Sequence, residues 1–313
     1  MKIIVTGALG HIGSRLIREL PAAFRGLEVV MIDNMLTNRY ASLFNLPAES
    51  RYRFLEMNVL NADLFSVIDG ADVVIHLAAI TDAAGSFNNK EQVETNNFNA
   101  TARVAEACAG LGCPMIHMSS TSVYGTQKNL VDECCTLEDL KPQSPYAETK
   151  LKEEDYLFEL GRSKGLKFIV CRFGTICGIS PGMRFHTAVN KFCWQAVMRQ
   201  PLTVWTTALH QKRPYLSLQD AMKAYQFIIQ SGLYDNQIYN VLTDNLTVND
   251  IVQNIAAHIP HVSIKYVDNE IMNQLSYEVS SQRFMNHGFR YSGSIAKDIE
   301  ETIALLGNCN HEH

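Results

Sequence analysis

The 313-residue sequence has no long basic run, no apolar stretch near the ~18 residues a membrane-crossing helix needs, and no low-complexity linker or internal repeat. The first absence removes the electrostatic reason to expect nucleic acid or an anionic membrane as a partner, in keeping with a formal net charge of -5 and 19% charged residues. The second excludes a helical membrane protein. The opening Met1-Lys2-Ile3-Ile4-Val5-Thr6-Gly7 is broken by glycine too soon for a signal peptide, so a soluble, cytoplasmic protein is expected. The eight cysteines follow neither metal-ligand nor disulfide-scaffold spacing. Cys134 and Cys135 are adjacent, while Cys108, Cys171, Cys177 and Cys193 sit in apolar stretches, as reduced buried thiols do. Cys309, His311 and His313 lie in the tail, where residues are usually too mobile to hold an ion. No metal is expected.

What is present is a hydrophobic content of 47%, enough for a sizeable core in one large domain or two. Short apolar runs at residues 2–6, 28–32, 52–56, 72–77, 114–119 and 167–173 read as strands. Several are apolar throughout, as strands of a parallel sheet are when helices cover both faces. Helical patterns at 12–20, 63–68, 91–109 and 146–161 alternate with them, which predicts an α/β, doubly wound parallel sheet. After Gly178 the pattern changes. Pro181-Gly182 breaks the chain, 188–199, 220–230 and 247–258 read as helices, and 238–242 as a short strand. The expected division is a nucleotide-binding domain over 1–177, with 216–242 returning to it. A smaller mixed α/β lobe is expected from 178–215 and 243–313.

Three motifs carry the chemistry. Thr6-Gly7-Ala8-Leu9-Gly10-His11-Ile12-Gly13 follows the first strand and opens the first helix. Its glycines allow a tight turn and close approach of the backbone to a pyrophosphate at a helix N-terminus. His11 reads as a side chain between glycines and not as a catalyst. Asp33 closes the second strand, where a carboxylate accepts from adenosine ribose hydroxyls and repels a 2′-phosphate, favouring NAD over NADP. The competing reading makes it a turn former ahead of Asn34. Asn58, after the third strand, offers its amide to an adenine edge or serves only its own loop. Tyr146 and Lys150, four apart, share a helix face one turn from each other, downstream of Ser119-Ser120-Thr121-Ser122-Val123-Tyr124-Gly125. A phenol of pKa ~10 is a poor base, and an adjacent ammonium favours its phenolate. Moving it from ~10 to ~7 takes roughly 4 kcal/mol. Together these features point to a nicotinamide-dependent enzyme.

The loop, Asp33, His76-Leu77-Ala78-Ala79, Asn97, the serine segment, Tyr146/Lys150, Arg213-Pro214-Tyr215 and Asp220 resemble the extended short-chain dehydrogenase/reductase family. More narrowly, they are similar to its nucleotide-sugar epimerase/dehydratase members, and the likeness runs through most of the chain. It implies a Rossmann sheet, NAD as cofactor and a nucleoside-diphosphate sugar as substrate. It implies cofactor contacts from Gly7, Leu9, Gly10, His11, Ile12, Gly13, Asp33, Asn34, Asn58, Val59, Leu77, Ala78, Ala79, Asn97, Tyr146 and Lys150. Ser120 becomes the hydroxyl that bonds the reacting oxygen, Tyr146 the acid/base, and Lys150 the partner of both the tyrosine and the nicotinamide ribose. Substrate contacts are implied for Thr81, Ser120, Thr121, Thr175, Arg184 and Arg213, with Arg213 ahead of Arg184 for the diphosphate. Lys212 reads as a solvated charge.

Departures narrow the reaction. The family's dehydratases resemble Thr-Asp-Glu where this chain has Thr121-Ser122, so an acid/base pair for 4,6-elimination is missing. Thr81 stands where some hexose 4-epimerases have Lys, and Arg172-Phe173-Gly174-Thr175 replaces Arg-x-x-Asn. The run from Gly178 to Asn190 resembles a branch that includes oxidation of GDP-heptoses at C4. The expectation is a C4 epimerase working through a 4-keto sugar. The alternatives are a C4 dehydrogenase, a 4,6-dehydratase and a non-catalytic NAD-binding regulator. An NADPH-dependent reductase is disfavoured by Asp33. The resemblance also implies a homodimer built on the helices at 91–109 and 146–161, for which Leu151, Tyr156, Leu157 and Leu160 offer an apolar stripe.

Overall fold

The computed structural model describes residues 1–81, 90–125, 130–136, 138–142, 144–267 and 276–307. Its strands are β1 (Lys2–Thr6), β2 (Glu28–Asp33), β3 (Arg51–Glu56), β4 (Val73–His76), β5 (Met115–Ser120), β6 (Leu130–Val131), β7 (Phe168–Phe173), β8 (Thr175–Cys177), β9 (Leu202–Trp205), β10 (Lys212–Ser217), β11 (Gln237–Val241), β12 (Asp244–Thr247), β13 (Ile264–Val267) and β14 (Glu278–Val279). Its α-helices are α1 (His11–Ala23), α2 (Leu64–Ile68), α3 (Lys90–Leu111), α4 (Pro145–Lys164), α5 (Ala188–Val197), α6 (Leu218–Ser231), α7 (Val248–His258), α8 (Gln282–Asn286) and α9 (Ile295–Gly307).

Seven strands form one sheet in the order β11-β7-β5-β4-β1-β2-β3, every pair parallel. Strand alternation assigns the core. Ile3 and Val5 meet Leu16, Ile17 and Leu20 of α1 and Met222 and Tyr225 of α6 on one face. Ile4, between them, meets Val104 and Cys108 of α3 and Leu157 and Leu160 of α4 on the other. The strand order reverses between β1 and β4, the crevice where open α/β sheets take their ligands.

Helix α1 runs past Pro21 to Ala23. Pro21 has no N–H to give the carbonyl of Ile17, and the Tyr52 hydroxyl donates to that oxygen instead, at 2.9 Å. Helix α4 starts cleanly because the Ser144 hydroxyl accepts from Ala147 N with Pro145 in the first turn, and Gly165 closes it at φ 70°. This fixes the turn that carries Tyr146.

The second half holds more strand than its sequence suggests. β12-β10-β8 form a three-stranded sheet, and β9 pairs with β13. Pro214 masks β10, yet it sits outside the Tyr215–Ser217 stretch that pairs with β8, so its missing N–H costs no bond on that side. α5, α7 and α9 enclose a separate core of Val189, Phe192, Leu202, Ile251, Ile255 and Ile299. The strand expected at 238–242 is β11, which returns to the main sheet beside β7. No helix among the described residues is long and apolar enough to cross a membrane.

Candidate active site

The glycine loop occupies the switch point. Gly7 has φ 65°, and a Cβ there would lie 2.7 Å from Ala78 N. A Cβ on Gly13 would lie 2.6 Å from Gly7 O, which is why α1 can start so close beneath the loop. Behind the turn the Thr6 hydroxyl accepts from Leu77 N and Ala78 N, each at 3.2 Å, tying the ends of β1 and β4 together. In front of it opens a cleft of about 350 Å³. Gly7, Gly10, His11, Ile12, Gly13, Asp33, Asn34, Asn58, Val59, Leu77, Ala78 and Ala79 line it, as do Thr81 and Arg184.

Two of the expected cofactor residues stand behind the lining. Leu9 is buried and donates its N–H to Asp33 Oδ2 at 3.1 Å. Asn97 is buried and holds the Ile80 backbone on both sides, accepting from Ile80 N at 2.8 Å and donating to Ile80 O at 2.9 Å. Its neighbour Asn96 faces the cleft. Asp33 also accepts from Met35 N at 3.0 Å, and Asn34 from Leu36 N at 3.1 Å, so the turn-forming reading of this segment holds alongside the cleft position. Asn58 accepts from Leu60 N at 3.0 Å through its oxygen, which leaves the amide nitrogen for another acceptor.

His11 is buried and its Nδ1 lies 3.0 Å from Ser180 Oγ. Burial, with the charges of Arg184, Arg39, His186 and Arg15, lowers its pKa to about 3, so it is neutral at pH 7. Gly182 presses on the same loop: a Cβ there would lie 2.3 Å from Leu9 O. The Ser14 hydroxyl accepts from Gly182 N at 2.9 Å. The Arg184 guanidinium hydrogen-bonds the Thr81 hydroxyl, which brings the second half of the chain to the rim of the cleft.

Of the expected catalytic residues, Ser120 ends β5 opposite Phe173 of β7, and Tyr146 and Lys150 lie in the first turns of α4. Ser120 Oγ is 2.9 Å from Ser122 Oγ and accepts from Ser122 N at 3.1 Å. The Thr121 hydroxyl donates to Phe173 O at 3.2 Å, and Thr175 begins β8 just beyond. Tyr146 is 8% exposed, and Lys150 Nζ lies 5.8 Å from its ring centroid. Lys150 is itself 3% exposed and donates to Glu153 Oε2 at 2.8 Å. Burial alone would lower the Lys150 pKa, but the charges of Glu153 and Tyr146 outweigh it and hold the group above its ordinary value.

Arg213 stacks over the Tyr277 ring at 5.1 Å, and the Tyr277 hydroxyl donates to Thr121 O at 3.2 Å. This places the arginine next to the serine segment through one buried ring. Lys212 pairs with Glu278 at the surface. Asp220 is a structural group, fully buried, accepting from Ser292 N, Gly293 N and the Thr243 hydroxyl. Arg172 likewise binds Glu154 through Nε at 3.0 Å and Nη2 at 2.6 Å, and donates to the Tyr124 hydroxyl at 2.9 Å. No group of three His, Cys, Asp or Glu suited to a metal occurs among the described residues, and Cys309, His311 and His313 lie outside them.

The profile of the NAD dependent epimerase/dehydratase family matches residues 3–241. The chain belongs to that family. The uncharacterized UDP-glucose epimerase YtcB of Bacillus subtilis is 33% identical over 238 residues, 73% of this chain and 72% of its own length. The trifunctional UDP-glucose 4,6-dehydratase RHM1 of Arabidopsis thaliana is 27% identical over 96% of this chain, which spans only 46% of that longer protein. Among solved structures, UDP-glucuronic acid 4-epimerase of Bacillus cereus with NAD and UDP-glucuronic acid superposes at a TM-score of 0.87, with 24% identity over 98% of this chain and 99% of that one.

As a member of the epimerase/dehydratase family, the protein is an NAD-dependent enzyme of nucleotide-sugar metabolism. Its own residues fit the cofactor. Positions 7 and 13 tolerate no Cβ, the cleft lies at the switch point, and a carboxylate ends β2. Arg39, His186, Leu36, Thr37 and Met118 also line the cleft and were missed from the sequence. Arg39 reaches it from the loop after β2, where a single cation six residues past Asp33 gives no periodic signal. Native protein is expected to bind NAD at least about tenfold more tightly than NADP. Asp33→Asn should narrow that gap by removing the charge that repels a 2′-phosphate. Calorimetry with both cofactors measures it, and equal affinities in the native protein would refute the role of Asp33.

Proposed function

We propose that the protein inverts C4 of a nucleoside-diphosphate sugar through a 4-keto intermediate. The observation that carries this reading is the Ser120 site, where positions 121 and 122 are hydroxyls, bonded to Phe173 O and Ser120. Elimination across C5 and C6 needs a carboxylate there, whereas C4 chemistry needs only one proton and one hydride moved. Tyr146 takes the C4 hydroxyl proton and later returns it. Ser120 donates to the oxygen that becomes the carbonyl. Lys150 supplies the positive charge beside the phenol. NAD, when bound, supplies the hydride acceptor. Arg213 and Arg184 are suited to the diphosphate, since a guanidinium meets phosphate oxygens two at a time.

The test is a panel of UDP-, GDP-, CDP- and dTDP-sugars incubated with the NAD-loaded protein and followed by NMR. UDP-glucose and UDP-glucuronic acid head it because related proteins carry those substrates in their names. A C4-inverted sugar is the expected product. A released 4-keto sugar would make it a C4 dehydrogenase, and a 4-keto-6-deoxy sugar would overturn the reading.

The same reading includes a homodimer through α3 and α4, in the cytoplasm, where the buried free thiols of Cys108, Cys171 and Cys193 suit a reducing setting. Leu157 and Leu160 do not serve the dimer, because both are buried in the protein's own core. Leu151 packs in a separate cluster with Val123 and Tyr124. What remains on the outer face is Phe98 edge-on to Tyr156 at 5.5 Å, half-buried beside Lys152 and Arg162. Light scattering at micromolar concentration is expected to give a dimer mass, and Tyr156→Glu a monomer.

A further inference from the structure

One buried carboxylate beside the Tyr146/Lys150 pair has no part in the reaction above. Glu153 sits one turn along α4 from Lys150 with none of its side chain exposed, and its Oε2 is 2.8 Å from the ammonium. From β5, His117 Nε2 lies 3.2 Å from the same carboxylate oxygen, also fully buried. Beyond it His76 of β4 stacks on His117 with centroids 6.1 Å apart, anchored to the Thr6 and Thr101 hydroxyls. Glu154, the next residue of α4, faces away into its pair with Arg172 of β7. The titratable groups around Glu153 are therefore Lys150 on its own helix, the two histidines from the sheet, and the Glu154–Arg172 pair.

We propose, resting on Tyr146 as the acid/base, that Glu153 is a positioning residue that decides which member of the Tyr146/Lys150 pair releases the first proton. A lysine this deeply buried without a counter-ion sheds its proton near or below neutral pH, ahead of any phenol. The result would be a neutral amine beside a neutral phenol, with neither base nor cation at the reacting hydroxyl. With Glu153 in contact the ammonium persists, so the first proton to leave comes from Tyr146 and the phenolate forms against a fixed positive charge. Burial keeps His117 from charging, which leaves the carboxylate to Lys150. The histidine pair thus acts as a polar wall that shields Glu153 without neutralising it.

The experiment uses NAD-loaded protein and no sugar. Subtracting the pH titration of Tyr146→Phe from that of native protein isolates the ultraviolet phenolate band of Tyr146. Glu153→Gln should move its midpoint upward by about one unit or more, and Glu153→Asp, which keeps the charge, should recover most of that shift. In a Lys150→Arg background, where the cation cannot lose its proton, Glu153→Gln should no longer raise the midpoint and, by removing a nearby negative charge, should lower it slightly. The native protein gives a check that no folding failure can spoil: NMR of the lysine side-chain nitrogens should show Lys150 still protonated as Tyr146 titrates. A Lys150 that deprotonates first, or a folded Glu153→Gln with an unmoved or lowered midpoint, would overturn the proposal. Either result would leave the C4 reading intact, and an inert sugar panel would leave these titrations standing.

Discussion

Tyr146→Phe is expected to lower turnover on the order of 10³-fold while NAD affinity and unfolding midpoint stay close to native. The substitution removes one oxygen from a side chain already 8% exposed and keeps the buried ring. Ser120 and Lys150 keep their places, since neither depends on the phenolic oxygen for a hydrogen bond in the structure. The proton of the C4 hydroxyl then has no acceptor but solvent. Single-turnover rates with the sugar found active in the panel, alongside NAD calorimetry, measure both halves of the expectation. A variant within tenfold of native turnover would remove Tyr146 from the acid/base role.

The second large effect falls on stability. In the Glu154–Arg172 pair the side chains are 4% and 3% exposed, and Glu154 also accepts from the Ser119 hydroxyl at 2.5 Å. Arg172 passes the connection to Tyr124, whose hydroxyl donates to Asn240 Oδ1 at 2.9 Å. Removing one ion of such a pair strands the other, so Glu154→Ala or Arg172→Ala should cost about 3–5 kcal/mol in denaturant unfolding of the NAD-loaded protein. Replacing both, Glu154→Leu with Arg172→Met, should cost less than either single change, because no buried charge is left alone. A single-variant loss under about 1 kcal/mol would show that water reaches the pair.

Much of the fold is legible in the sequence. The apolar runs of β1, β4 and β7 are buried on both faces, and such strands leave an unambiguous mark on a sequence. Gly7 and Gly13 are required by contacts across one tight turn, a constraint local enough to show as spacing. Short strands such as β8 and β12 were not legible, because three or four residues carry no period. The resemblance implies a cofactor contact for Asn97, while its amide is engaged by Ile80; the sequence places the residue near the cleft without fixing which way its side chain turns. Glu153 was hidden for a related reason. Its spacing from Lys150 sets them on one helix face, but only the fold brings His117 of β5 against them.

The position of β11 bears on how the chain assembles as it leaves the ribosome. β7 is complete at Phe173, yet its outer neighbour is made only after α5, β9, β10 and α6 have been synthesised. Until then the nascent sheet ends in an open parallel edge of six wholly buried-type residues, a template for pairing with another chain. The Gly182 segment that presses on the glycine loop arrives in the same interval. Closure of that edge and completion of the wall around the glycine loop therefore both wait on chain made after Phe173.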